Sequence, residues 1–245
     1  MVVAMVAGTA WPSTVLAATA GDLVAEADRL RAAPEPRLED LLRVIALYEQ
    51  AARLQPASAD IQVRLAETAM SLGARADSDP LRWYMLGARA AERAVALDAT
   101  SADAHFLLAA HRGQVARRQR SVRGLAVPGE LEQHLLRALA LDPRHPRALH
   151  MMGALLRDTP LFLRGSLKGS RTDVERYLLA AVAADPEFAE ARIDLAKHYR
   201  DTGLTAEARR QAEAVVQMTP QTRGRAWHEK HRPAAEALLK ELAAQ

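Results

Sequence analysis

Residues 131–153 read LEQHLLRALALDPRHPRALHMMG. The stretch reads as a helix, a turn at Asp142 and Pro143, and the start of a second helix, and the same pattern recurs along the chain. Anchored on the turn, the pattern returns at Pro56, Ala99, Pro143, Pro186 and Pro220, at steps of 43, 44, 43 and 34 residues. Five residues before each anchor stand Ala51, Ala94, Ala138, Ala181 and Val215, and two before it stand Leu54, Leu97, Leu141, Ala184 and Met218. After the first four anchors come Leu65, Leu108, Met152 and Leu195, each followed by a small residue: Ala66, Ala109, Gly153 and Ala196. Small residues in fixed columns mean helices that cross closely, with the large apolar residues filling the space beside them. A bulky side chain in a small column should overpack the crossing by about 1–3 kcal/mol.

A helix pair of about 34 residues, with small residues at the crossings and proline after the second helix, is the tetratricopeptide repeat. The longer steps carry about nine or ten extra residues each against that period. They fall between the two helices of one repeat, near residues 74–81, 121–129 and 158–172, and should therefore emerge on one edge of the stack. The fold expected is all-α: a tetratricopeptide-like α-solenoid of about five helix pairs with elongated intra-repeat loops. A last helix over residues 233–244, with Leu238, Leu239 and Leu242, should cap the end.

Composition narrows the class. Aromatics are 4% of the chain, so Ala and Leu supply the core, which suits crossed helices better than sheets. A formal charge of +3 gives no field that argues for nucleic acid. The absence of cysteine excludes disulfides, thiol catalysis, cysteine-zinc sites and a lipidated cysteine. Residues 1–20 carry no charge and end A-T-A, a small-x-small pattern suited to cleavage before Gly21. They read as a signal peptide, which leaves residues 21–245 as the repeat domain of a periplasmic or otherwise exported protein with no stable membrane insertion after processing. The alternative is a protein anchored by an uncleaved N-terminus, although Gly8, Thr9, Pro12, Ser13 and Thr14 make a poor membrane span.

Several local features set expectations. Gly73 should end the helix over residues 59–72, and Pro128 with Gly129 should break the chain before a helix over residues 130–141. The run Arg112, Arg117, Arg118, Arg120 and Arg123 reads as a solvated helix end, where positive charge suits the macrodipole, or as a site for an anionic partner. Residues 159–172 hold Leu161, Phe162, Leu163 and Leu167 among Gly, Ser and Pro. Apolar residues in a loop must dock somewhere, so Phe162 either plugs the stack from its edge or offers an exposed contact.

Longer segments resemble a known group. LGARAAERAVALD (residues 86–98), LLAAHRG (107–113), VPGELEQHLLRALALDP (127–143) and TPLFLRGS (159–166) resemble the T component of tripartite ATP-independent periplasmic (TRAP) transporters and its relatives, the tetratricopeptide-like regulators of microtubule dynamics. The likeness covers most of residues 21–218. It implies an all-helical periplasmic protein with cryptic repeats that works beside a substrate-binding protein and offers an apolar channel to a ligand.

No catalytic constellation emerges, nor any phosphate-cradling or dinucleotide-binding loop, so neither an enzyme nor a cofactor is expected. His228-Glu229-Lys230-His231 lacks the spacing of a zinc helix and reads as a polar turn, and His105, His111, His134, His145, His150 and His198 are scattered, so no metal is expected. Binding is the better reading. If the first helix of each pair lines the inner surface, inward positions recur at Asp60, Val63, Asp103, Phe106, Arg147, His150, Glu190 and Ile193, with Glu67, Arg157, Lys197 and Arg200 a turn further on. Arg117, Arg118, Phe162 and Arg164 belong to the insertion edge. The expected function is an exported, non-catalytic scaffold that binds a protein or peptide in its concave groove and along that edge. The alternative is a TRAP-type accessory holding a small apolar or acidic ligand.

Overall fold

The computed structural model describes residues 18–33, 35–119, 127–170, 172–219 and 226–244, apart from the side chains of Leu161 and Arg164. Most of the expected signal peptide and most of the second insertion lie outside these residues. Among the described residues there is no strand, and eleven α-helices follow one another: α1 (Ala20–Arg31), α2 (Leu38–Leu54), α3 (Ala59–Arg75), α4 (Pro80–Leu97), α5 (Ala102–Gln119), α6 (Val127–Leu141), α7 (Pro146–Asp158), α8 (Asp173–Ala184), α9 (Ala189–Asp201), α10 (Thr205–Val216) and α11 (Arg232–Ala243). Each helix packs on the next, and α3, α5, α7, α9 and α11 also touch in succession. The first helices of the pairs thus form an inner layer. Five pairs, α1/α2 to α9/α10, are closed by α11, whose Leu238 and Leu242 are buried.

The repeat columns explain the packing. Ala51, Ala94, Ala138, Ala181 and Val215 are all fully buried, as are Ala66, Ala109 and Ala196. Leu65, Leu108, Met152 and Leu195 are buried beside them. The column two before the anchor behaves differently, since Leu54 is 53% and Leu97 36% exposed. Each is the last residue of its helix, beyond the point where the neighbouring helix covers it.

Two glycines read as chain breakers lie inside helices. α3 runs through Gly73 to Arg75, and a Cβ on Gly73 would sit 2.7 Å from the Tyr84 ring, so the missing side chain serves a close crossing rather than a stop. Pro128 and Gly129 lie in the first turn of α6 rather than ahead of it. Proline suits that position because the first turn has no amide partner to lose.

The first insertion is helix rather than loop. α3 and α4 have 17 and 18 residues where the ordinary pair α9/α10 has 13 and 12. Only residues 76–79 connect them, and Asp79, at φ 47°, accepts the Arg82 N–H at 3.3 Å to cap α4. One column escaped the sequence reading. Arg93 and Arg137, each six residues before an anchor, reach back to the carbonyls of Pro56 (3.3 Å) and Ala99 (3.5 Å) and tie each turn to the following outer helix.

α5 carries buried histidines into this packing. His111 is fully buried, its Nε2 donates to the Ala66 carbonyl at 2.9 Å, and a Cβ on Gly87 would fall on its ring. Burial pushes its ionisation down from 6.5 to about 4, so the native ring is neutral. His105 and His134 bring their Nδ1 atoms to 3.1 Å, where two protons cannot sit together, and burial lowers both. An unfolded chain takes up these protons first, so this stability is complete above pH 6.5 and is lost as the pH falls toward 4. For His111 the loss is on the order of 3 kcal/mol. Urea unfolding between pH 7 and pH 4.5 should show it, and His111→Gln, which cannot titrate, should flatten the slope.

Candidate functional site

The inner faces of α3, α5, α7 and α9 line a concave groove. Caps set their starts: Ser58 accepts the Ile61 N–H (3.3 Å), Ser101 the Ala104 N–H (3.2 Å) and His145 Nδ1 the Ala148 N–H (3.2 Å). Because His145 Nδ1 accepts, its Nε2 donates, and Asp103 receives it at 3.1 Å. Capping of α7 and orientation of a groove carboxylate are therefore one arrangement.

The groove is paved with ion pairs. At the first end Arg64 joins Asp28 and Asp60, both at 2.7 Å, and the buried Tyr48 hydroxyl donates to Asp28. Burial, and then that bond, raise the Tyr48 ionisation. Glu67 accepts from Arg31 at 2.6 Å and from Arg147 at 3.3 Å, and Arg147 also reaches Asp103 at 2.9 Å. The Arg147 guanidinium lies 4.7 Å over the Phe106 ring. The His145 hydrogen bond, and then the Arg147 charge, hold the Asp103 carboxyl below its usual range. Contact between α7 and α3, two inner helices apart, shows the stack curving toward this face.

The second centre is Asp194, whose side chain is 13% exposed. His150 Nε2 donates to it at 2.9 Å, Arg157 lies at 3.2 Å and Lys197 at 3.3 Å. Burial alone would raise its ionisation; the His150 bond and the Arg157 and Lys197 charges more than reverse that. Further on, Glu190 meets Lys230 at 3.4 Å and Arg200 meets Glu241 at 2.9 Å. Residues Trp227–His231 form a π-helical turn leading into α11 instead of the expected polar turn. It is anchored by buried Trp227, whose Nε1 donates to the Val215 carbonyl at 3.3 Å. Among the described residues no three His, Asp or Glu side chains converge as a metal ion would need.

The inward positions read from the sequence thus divide. Asp103, Phe106 and Arg147 come together, and His150, Arg157 and Lys197 meet on Asp194. Asp60 and Glu190 are rim residues, Val63 is half-buried, and Phe106 and Ile193 are buried beneath the surface, at 8% and 4% exposure. Asp194 was missed. Its column holds Arg64, Leu107 and Met151, and the charged members of an otherwise apolar column were the available signal.

The insertion edge is a separate surface. Glu132, only 2% exposed, accepts the N–H groups of Lys168 and Gly169, both at 2.7 Å, and a Cβ on Gly129 would come 2.8 Å from the Ser166 carbonyl. Leu167 packs on the core. With its far half so fixed, the loop forms a 3-10 turn over Leu161–Ser166 that holds Phe162 outward at 77% exposure. Phe162 does not plug the stack, because Leu167 and the Glu132 clamp already dock the loop. Arg117 and Arg118 are exposed at the end of α5, where Arg118 lies 4.3 Å over the Tyr84 ring and donates to Gln114 at 2.6 Å. The side chain of Arg164 lies outside the described residues.

Two surface clefts, of about 350 and 560 Å³, are lined by Glu49, Arg53, Gln62 and Arg93 and by Arg157, Glu175, His198 and Asp201 among others. Neither is an apolar channel.

An all-α stack of helix pairs with a polar concave groove is a tetratricopeptide-like solenoid. The profile of the family "Regulator of microtubule dynamics protein 1-3" matches residues 23–157, more than half of the chain, and the chain belongs to that family. The match supports that part of the resemblance and says nothing for the T component. No curated protein matches the sequence significantly. Among solved structures, the thermophilic TPR protein TTC0263 of Thermus thermophilus is similar at a TM-score of 0.61 and 19% identity, over 92% of this chain and 98% of that one. MamA is similar at 0.53 and 17%, over 80% and 90%. At these identities the likeness is one of fold.

Asp194→Asn removes the buried carboxylate on which His150 and Arg157 converge, and leaves Arg157, itself 17% exposed, with only its two-point pair to Asp158. Denaturant unfolding should show a loss of about 2–4 kcal/mol, against less than about 1 kcal/mol for Lys197→Ala at the exposed side of the same cluster.

Proposed function

We propose that this protein is an exported, non-catalytic repeat scaffold that binds a protein or peptide segment in its concave groove, with Phe162 as a second contact on the insertion edge. The observation that carries this reading is the groove itself: open, polar, and lined by both signs of charge on four consecutive inner helices. Such a surface suits the alternating chemistry of a polypeptide. A transport accessory holding a small apolar ligand would need an apolar channel, whereas ion pairs pave this face. Phe162 supports the second contact because an aromatic exposed at 77% on an anchored turn adds nothing to the core.

Photo-crosslinking side chains placed at Val63 and Lys197, with Leu179 on α8 as the outer control, test the groove. The expected result is partner adducts from the two groove positions and none from Leu179. Phe162→Ser should reduce the yield while leaving stability within about 0.5 kcal/mol. Adducts confined to Leu179, or none from the groove, would overturn the reading.

Export rests on residues 1–20. Thr19 caps α1 through the Asp22 N–H at 3.2 Å, and Ala20 is buried in its first turn. Cleavage before Gly21 therefore removes the cap, and the processed chain should melt a few degrees below one that begins at Ala18. Terminal sequencing of the native protein should find Gly21 first; a native chain starting at Met1 would contradict export by cleavage.

A further inference from the structure

Arg147 differs from the other groove cations in where its head group lies. It springs from α7, passes over α5 and reaches α3. Two carboxylates from successive repeats, Glu67 and Asp103, face it at 3.3 and 2.9 Å, and the Phe106 ring forms a floor 4.7 Å below. A planar group with several N–H donors and a face that stacks is what such a receptacle accepts, and an ammonium group satisfies it less completely.

The walls do not depend on Arg147. Phe106 is buried and packs against the His145 ring at 5.1 Å. His145 is fixed on one side by the Ala148 N–H and on the other by Asp103. Glu67 keeps its bond to Arg31. Arg147 is the loose member: its side chain is 43% exposed, against 17% for Arg157 at Asp194. Half-exposed ion pairs are weak and exchange readily. The guanidinium seated here thus comes from another repeat and can leave without dismantling the site.

We infer that Glu67, Asp103 and Phe106 form a subsite for an arginine side chain of the bound segment, and that Arg147 fills it in the free protein. A peptide arginine takes the place of Arg147, which swings toward solvent. The contact is autoinhibitory: while Arg147 is seated, only the fraction of molecules with the subsite vacant can accept the peptide. The inference rests on the groove being the polypeptide-binding surface proposed above.

The test measures binding of fluorescein-labelled tri-arginine amide to the full chain, with tri-lysine and tri-glutamate amides as comparisons, at one ionic strength. Arg147→Gln should tighten tri-arginine binding about tenfold, as expected if Arg147 occupies the subsite roughly nine-tenths of the time. Tri-lysine should gain less and tri-glutamate nothing. Adding Glu67→Gln and Asp103→Asn should abolish the gain, with circular dichroism melts confirming that each variant is folded. Equal binding by the wild type and Arg147→Gln, a gain that survives the two carboxylate changes, or an equal gain for tri-lysine would overturn the subsite. If the groove positions cross-link a partner but Arg147→Gln gains nothing, the subsite alone fails. If no groove position cross-links, the groove reading fails with it.

Discussion

Four of the five outer helices approach their neighbours at a point where there is almost no side chain. Ala51, Ala94, Ala138 and Ala181 are fully buried at equivalent positions, and the inner helices supply their own small residues at Ala66, Ala109, Gly153 and Ala196. Close crossing brings the backbones together, and Leu65, Leu108, Met152 and Leu195 then fill the space on either side. Because one geometry repeats, the inner helices stand side by side, and residues three and four apart along each of them face the same groove. Everything ascribed to the groove follows from that spacing.

Charge within the groove divides into two kinds. Asp194 with His150 and Arg157 is largely withdrawn from water and holds α7 to α9. Arg147 with Glu67 and Asp103 is half exposed, and Phe106 and His145 beneath it are locked by other contacts. The first kind is structural, since breaking it strands a buried charge. The second can exchange its partner while the fold stays as it is. The same contrast separates Leu167, which docks the insertion loop, from Phe162, which the loop presents to solvent.

Much of the fold was legible because it repeats: five turns, four alanines and a valine before them, and four large residues after them in register leave few alternatives to stacked hairpins. Single residues misled where a local signal competed with packing. Gly73 and Gly129 look like breakers by propensity, but each stands where another segment comes too close for a Cβ. The first insertion looks like a loop by period and is added helix, because extra turns keep the inner and outer layers in contact as well as a connection would. Glu132 and Asp194 were missed because a carboxylate on an apolar face becomes intelligible only when its partners arrive from elsewhere: the Lys168 and Gly169 amides 36 and 37 residues away, and His150 44 residues away. The Arg147 receptacle draws on three repeats at once, although its residues had each been placed on the inner face.

Buried small residues at the crossings, rather than apolar content as such, hold the stack together. Denaturant unfolding of Ala138→Leu beside Leu97→Ala separates the two contributions. The first adds apolar bulk to a fully buried crossing, and the second removes it from a helix end that is 36% exposed. A loss of about 1–3 kcal/mol for Ala138→Leu beside a change within about 0.5 kcal/mol for Leu97→Ala is the predicted result. Unchanged or increased stability in Ala138→Leu, or a larger loss in Leu97→Ala, would contradict it.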